Sequence, residues 1–203
     1  MRSRLYLLTP PELASGGVVL SAFRDALGKA LAAGDVASVL IRSGDTDEDR
    51  LGDCLDSLVP VIQQAGAAAI LEDNADLALK ADCDGIQIVA DPQRQRTLRR
   101  RMGDQRILGV DCGSSRHLAM EAGELDADYV TLSAEDSELL SWWSELMEIP
   151  SVASEVTSLE AAAAAVRAGA DFVAVGSAVW QNEEPPATVA AFNRLFDELA
   201  EDT

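Results

Sequence analysis

Short apolar runs rich in β-branched residues alternate with longer segments rich in alanine and leucine, and the alternation repeats eight times along the chain. No other feature narrows the fold so far. A strand followed by a helix and then another strand pairs in parallel, through a right-handed crossover. Residues 6–8 predict the first strand and residues 19–33 its helix, which Gly34-Asp35 ends. Residues 37–41 predict the second strand. Asp47 then caps a helix carrying Leu51, Leu55, Leu58 and Ile62 at helical intervals, and Gly66 closes it.

The same reading carries through to the end. Strands are predicted over 67–71, 85–88, 107–110, 129–132, 151–153 and 172–175. Helices are predicted over 73–80, 92–102, 115–122, 136–147, 158–168 and 186–200. Asp91 is placed as a cap with Pro92 at the first helical position. Eight such units in one chain point to an α/β fold closed on itself, a compact (β/α)8 TIM barrel, here in 203 residues against a typical ~250. The competitor is an open doubly wound sheet, which wants a glycine-rich loop after the first strand. Thr9-Pro10-Pro11-Glu12 is not one. No linker or composition shift divides the chain, so residues 1–203 are read as one barrel domain.

Three echoes mark one end of that barrel. Asp82-Cys83-Asp84, Asp126-Ala127-Asp128 and Gly169-Ala170-Asp171 each end a helix and launch a strand. Such turns lie at the N-terminal face, where they serve stability rather than chemistry.

Charge excludes several partners. The 16 basic and 35 acidic residues give a net charge of −19, which repels a phosphate backbone and argues against nucleic acid. It argues equally against anionic membrane surfaces, and no apolar run approaches a membrane span. The start, Arg2-Ser3-Arg4-Leu5-Tyr6-Leu7-Leu8, is basic then apolar, but too short for a secretory signal. Cys54, Cys83 and Cys112 are odd in number and form neither a disulfide framework nor a zinc pattern. Reduced thiols and a cytoplasmic protein are expected.

In a barrel of this kind the active site is built from the C-terminal ends of the strands. Those ends are predicted at 9–12, 42–45, 72–74, 89–91, 111–114, 133–135, 154–156 and 176–179. Phosphate sites often form after the seventh and eighth strands.

Several of these stretches carry a resemblance. Leu5-Tyr6-Leu7-Leu8-Thr9, Ile41-Arg42, Glu72-Asp73-Asn74-Ala75-Asp76-Leu77-Ala78-Leu79 and Asp84-Gly85-Ile86-Gln87-Ile88 look like thiamin-phosphate synthase and its TenI relatives. So do Ile107-Leu108-Gly109-Val110, Ala127-Asp128-Tyr129-Val130 and Ala170-Asp171-Phe172-Val173-Ala174-Val175-Gly176-Ser177-Ala178. The resemblance spans nearly the whole chain in order. It implies a small eight-stranded barrel that joins a hydroxymethylpyrimidine diphosphate to a thiazole phosphate and releases pyrophosphate. Magnesium and cationic residues would assist the departing diphosphate, as electrostatic catalysis of developing charge.

Carried over residue by residue, the resemblance makes Arg42 a catalytic contact to the diphosphate and Asp73 and Asp91 magnesium ligands. It makes Gly176, Ser177 and Ala178 a cradle for the thiazole phosphate. It also exposes departures. Ser43 and Gly44 stand where the family has an acid and a lysine, and Asn74 stands at an arginine position. Ser154-Glu155 replaces a pair of phosphate-binding glycines, and Glu72, Asp111 and Glu135 add acids around the mouth. Each change removes positive potential, or adds negative potential, where anions should bind, so little or no thiamin phosphate formation is expected from this inventory. Two readings therefore stay open: a magnesium-dependent transferase of thiamin biosynthesis, and a non-catalytic barrel that binds a small phosphorylated heterocycle or a protein partner. Thiazole isomerisation, the TenI activity, lacks a strand-end histidine to shuttle protons.

The plainer reading of Arg42 is an ion pair with Asp73 or Glu72 across the barrel mouth, and the remaining polar residues have plainer readings too. His117 is placed on an outer helix surface. Cys112 has no histidine beside it and reads as a small buried hydrophobe. Arg94, Arg96, Arg99, Arg100 and Arg101 read as a solvated helix face. Trp142 and Trp143 cannot both face inward, so the exposed one marks a subunit contact and a homodimer is expected.

Overall fold

A computed structural model describes residues 2–44 and 47–201. Eight parallel strands close into one barrel in chain order. They are β1 (Arg4–Leu8), β2 (Val36–Ile41), β3 (Ala68–Glu72), β4 (Gly85–Val89), β5 (Ile107–Gly113), β6 (Tyr129–Ser133), β7 (Ser151–Val156) and β8 (Phe172–Val175). The closing pair is β1 with β8, in the register Arg4 to Phe172 and Leu7 to Val175.

The connecting helices are α1 (Glu12–Ser15), α2 (Leu20–Leu31), α3 (Glu48–Gln64), α4 (Ala75–Lys80), α5 (Pro92–Met102) and α6 (Arg116–Glu124). They continue as α7 (Ser137–Leu146), α8 (Leu159–Arg167), α9 (Ser177–Trp180) and α10 (Pro185–Glu201). The one-turn helices α1 and α9 follow β1 and β8 and carry no apolar periodicity, which is why the sequence shows neither. Asn74, and not Asp73, accepts the amide of Leu77 and caps α4.

The strand alternation divides the core into two layers. Leu5, Leu7, Val39 and Ile41 point outward against the helices, whereas Tyr6, Leu8, Leu40, Ile70, Tyr129 and Val152 point into the barrel. The interior is narrow. A Cβ on Gly109 would lie 2.0 Å from the Tyr129 ring, so the glycine of β5 is what admits that phenol.

At the N-terminal face the three echoes are staples. Asp84, Asp128 and Asp171 each precede a strand and accept an amide of the strand before it, from Ala69, Leu108 and Ser151 at 2.7–2.9 Å. Two residues earlier stand Asp82, Asp126 and Gly169, all left-handed at φ 54°, 62° and 91°. Because the strands are parallel, Arg42, Asp73, Asp111 and Ser177 all lie at the opposite face.

Candidate active site

Two adjoining cavities open at that face. The first, of about 440 Å³, lies between Thr9, Pro10, Val18, Gly176, Ser177 and Trp180. The second, of about 470 Å³, descends into the barrel over Gln87, Thr131 and Ser133, beside Glu72 and Asp111. Arg42 and Glu155 line both. Their side chains meet at 3.0 Å, so the partition between the cavities is an ion pair.

Local structure explains each partner. Arg42 follows β2, where its amide is held by the hydroxyl of Thr9, a residue only 1% exposed. Glu155 sits where the pairing of β7 with β8 shifts register between Ala153 and Val156. Its φ of 46° is left-handed, a conformation that favours glycine. The backbone thus keeps a glycine-like shape while the side chain supplies a carboxylate. The pairing expected for Arg42, with Glu72 or Asp73, is not made. Glu72 instead accepts from the amide and hydroxyl of Ser43.

Below the second cavity lies a buried polar cluster. The Oε1 of Gln87 accepts from Thr131 at 3.2 Å and from one of two phenols, Tyr129 at 3.0 Å or Tyr6 at 3.4 Å. The two phenols meet each other at 2.8 Å. Burial raises the pKa of both phenols, so they stay protonated donors.

Outside the barrel axis a smaller groove, of about 220 Å³, shares Glu72, Gln87 and Asp111 with the second cavity. It shares Ser43, Gly44 and Asp73 with an outer groove of about 440 Å³. Arg94 and Arg101, both on α5, line that outer groove. Arg94 binds the Asp73 carboxylate and its carbonyl, and Arg101 binds Asp76. The first turn of α5 also contains Asp91, whose Oδ1 accepts the amides of Gln93 and Arg94 at 3.0 Å. Arg94 therefore ties Asp91 and Asp73 to one helix start.

Similarity to other proteins fits this layout. The family model for thiamine monophosphate synthase matches residues 5–179. The chain belongs to the thiamine monophosphate synthase family. Thiamine-phosphate synthase of Rhodospirillum centenum is 42% identical over 95% of this chain and 97% of that protein. Its counterpart in Hyphomonas neptunium is 38% identical over 98% and 96%. Among solved structures, thiamine phosphate pyrophosphorylase from Pyrococcus furiosus superposes with a TM-score of 0.83 at 22% identity, covering 97% of this chain and 96% of that one.

Within this family member the expected site residues fall as follows. Arg42, Gly176 and Ser177 border the first cavity, while Ala178 packs half-buried against the core. Asp73 borders the outer grooves, and Asp91 caps α5. Asp45, expected at the mouth, lies outside the described residues. No three His, Cys, Asp or Glu side chains gather to hold a metal among the described residues. Magnesium takes one or two carboxylates and completes its shell with water and phosphate oxygens. Asp73 is the carboxylate that borders the two outer grooves, where Arg94 holds it.

The arginine run is only partly a solvated face. Arg94 and Arg101 turn toward the mouth grooves, and Arg99 anchors the opposite end through Asp126 and Asp128. Nothing in the sequence separates these arginines from Arg96 and Arg100, because their direction depends on what α5 packs against. His117 is solvent-exposed beside Glu121. The Cys112 thiol is buried and pushed up to about 12 by desolvation, so it is no nucleophile at neutral pH. Trp143 is the buried one of the pair, and Trp142 is half-buried with the Arg116 guanidinium 4.9 Å from its ring.

Proposed function

We propose that this chain joins a hydroxymethylpyrimidine diphosphate to a thiazole phosphate, giving thiamin phosphate and pyrophosphate. The observation that carries the reading is the pair of adjoining cavities that share Arg42, in a chain of this family. A two-substrate transfer needs two compartments that meet at the reacting centre.

The thiazole phosphate belongs in the first cavity, at Gly176, Ser177 and Ala178. The first amides of a helix have no intrahelical acceptor and are free for an anion. The pyrimidine belongs over Gln87, with its diphosphate directed to the grooves by Gly44 and Asn74. Arg94 and Arg101 enter there from α5 and restore the positive charge those two positions lack. When magnesium is bound, it neutralises charge on the departing diphosphate. Asp73 and Asp91 would hold it. Arg94 then exchanges Asp73 for a diphosphate oxygen. The pyrimidine CH2–O bond breaks with its electron pair leaving on the diphosphate, and the thiazole nitrogen bonds to the methylene carbon.

Three free, buried thiols support a reducing compartment, and the cytoplasm is the proposed location. Among the described residues no helix is long and apolar enough to cross a membrane.

The deciding assay incubates the purified chain with both substrates and magnesium and quantifies thiamin phosphate by chromatography. Product formation that stops on chelation supports the reading. No product above a protein-free control, beside an active relative run in parallel, leaves the non-catalytic ligand-binding reading in its place.

A further inference from the structure

We infer that Gln87 is a specificity-determining residue, whose carboxamide NH2 donates to a ring nitrogen of a planar heteroaromatic substrate seated in the barrel mouth. The inference deepens the two-substrate reading above and rests on it for the name of the reaction.

Gln87 lies on β4 and is 8% exposed. Its orientation follows from counting protons. Tyr6 and Tyr129 are both buried and carry one hydroxyl proton each. One proton lies between the two oxygens, 2.8 Å apart. The other needs an acceptor, and Gln87 Oε1 is the one in reach. Thr131 donates to the same oxygen. Turning the amide over would point two N–H donors at these hydroxyls and leave a buried phenol proton without an acceptor. Oε1 is therefore fixed inward and Nε2 faces the cavity. Among the described residues Nε2 donates to no protein group, although Gln87 lines the second cavity.

An unpaired donor held this rigidly selects for an acceptor. The carboxylates of Glu72 and Asp111 border the same cavity and accept only. Together they match a ring edge on which a bare nitrogen stands next to an amino group. Leu40 and Val152 supply apolar walls for a flat ring. Tyr6 borders the cavity beside Gln87, whereas Tyr129 is not part of its lining; both phenols position the amide.

The test is calorimetry on the intact chain with 4-amino-5-hydroxymethylpyrimidine and with 2-aminobenzyl alcohol, which has the same outline without ring nitrogens. The wild type should bind the pyrimidine at least tenfold more tightly, the preference one well-placed hydrogen bond supplies. Gln87→Met should abolish that preference. Tyr129→Phe should weaken it while keeping the donor, which a purely packing role would not do. Thiazole phosphate affinity should stay unchanged in both variants. Equal binding of the two probes by the wild type, or absence of binding by either, overturns the inference without any mutant. A preference that survives in folded Gln87→Met overturns it too. Because these are binding readouts, their failure is distinct from absence of turnover in the assay above.

Discussion

The guanidinium of Arg42 and the carboxylate of Glu155 meet at 3.0 Å across the barrel mouth, tying the end of β2 to the end of β7 with β8 and β1 between them. Arg42 is the one arginine bordering both cavities, and this contact occupies it in the unliganded protein. A substrate phosphate must compete with Glu155 for it. At an effective dielectric of about 20, two like charges ~4 Å apart repel by about 4 kcal/mol, an upper limit before solvent screening.

Glu155→Gly should therefore tighten phosphate binding. The variant frees Arg42 and removes a carboxylate from the rim of the first cavity. A tenfold gain in affinity for thiazole phosphate, or about 1.4 kcal/mol, is the expected outcome. Stability should change by less than about 1 kcal/mol, because relief of a left-handed side chain offsets the added freedom of glycine. Calorimetry beside a urea titration checks both halves, and an unchanged affinity would show that Arg42 and Glu155 do not compete with the ligand.

Restoring the family lysine should fail. Gly44 has φ +55°, and a Cβ there would lie 2.9 Å from the carbonyl of Pro11. Gly44→Lys is expected to lose about 1–2 kcal/mol of stability and to gain no turnover. Chemical denaturation and a steady-state assay on the same preparation measure this. A faster, equally stable variant would mean that the loop refolds around the new side chain.

Arg94→Gln should separate catalysis from stability. Its ion pair with Asp73 is more than a third exposed on both sides, so removal costs at most about 1 kcal/mol. If Arg94 meets charge developing on the leaving group, kcat falls on the order of 10²-fold. The thiazole phosphate KM should not move. A kcat within twofold of the wild type removes Arg94 from the proposed site.

Alkali should destabilise the fold in a defined window. Desolvation pushes the Cys83 and Cys112 thiols from 9.0 up to about 12. Between those values the folded state holds protons that the unfolded state has released. The stabilisation is complete below pH 9 and is lost as pH rises toward 12, with a slope of at most about 1.4 kcal/mol per pH unit for each thiol. Urea midpoints measured from pH 8 to 11 should fall. The same thiols should resist iodoacetamide at pH 8 until the protein is unfolded.

Much of the fold is legible in the residues themselves. The strand at 172–175 and the helix at 92–102 are found with the bounds the alternation predicts. Asp47 and Asp91 cap the helices they were expected to cap. These features are local, set by apolar spacing and by which side chains can satisfy a free amide. The site is less legible because its pairings are not local. Arg42 was expected to meet Glu72 or Asp73 on the neighbouring strand and meets Glu155 on a strand beyond β1 and β8. The arginine run looked uniform, yet the packing of α5 sends Arg94 and Arg101 to the mouth and Arg99 to the far end. Gln87 carried no signal as an isolated residue on β4.

By itself the sequence determined the number of units, their order and the face on which their ends collect, because hydrophobic periodicity and turn chemistry act within a few residues. Only the tertiary structure decided which charges face each other and which way the Gln87 amide points. Barrel closure brings phenols from β1 and β6 onto one carboxamide of β4. Such a direction is fixed by the hydrogen-bonding demands of groups far apart in the chain.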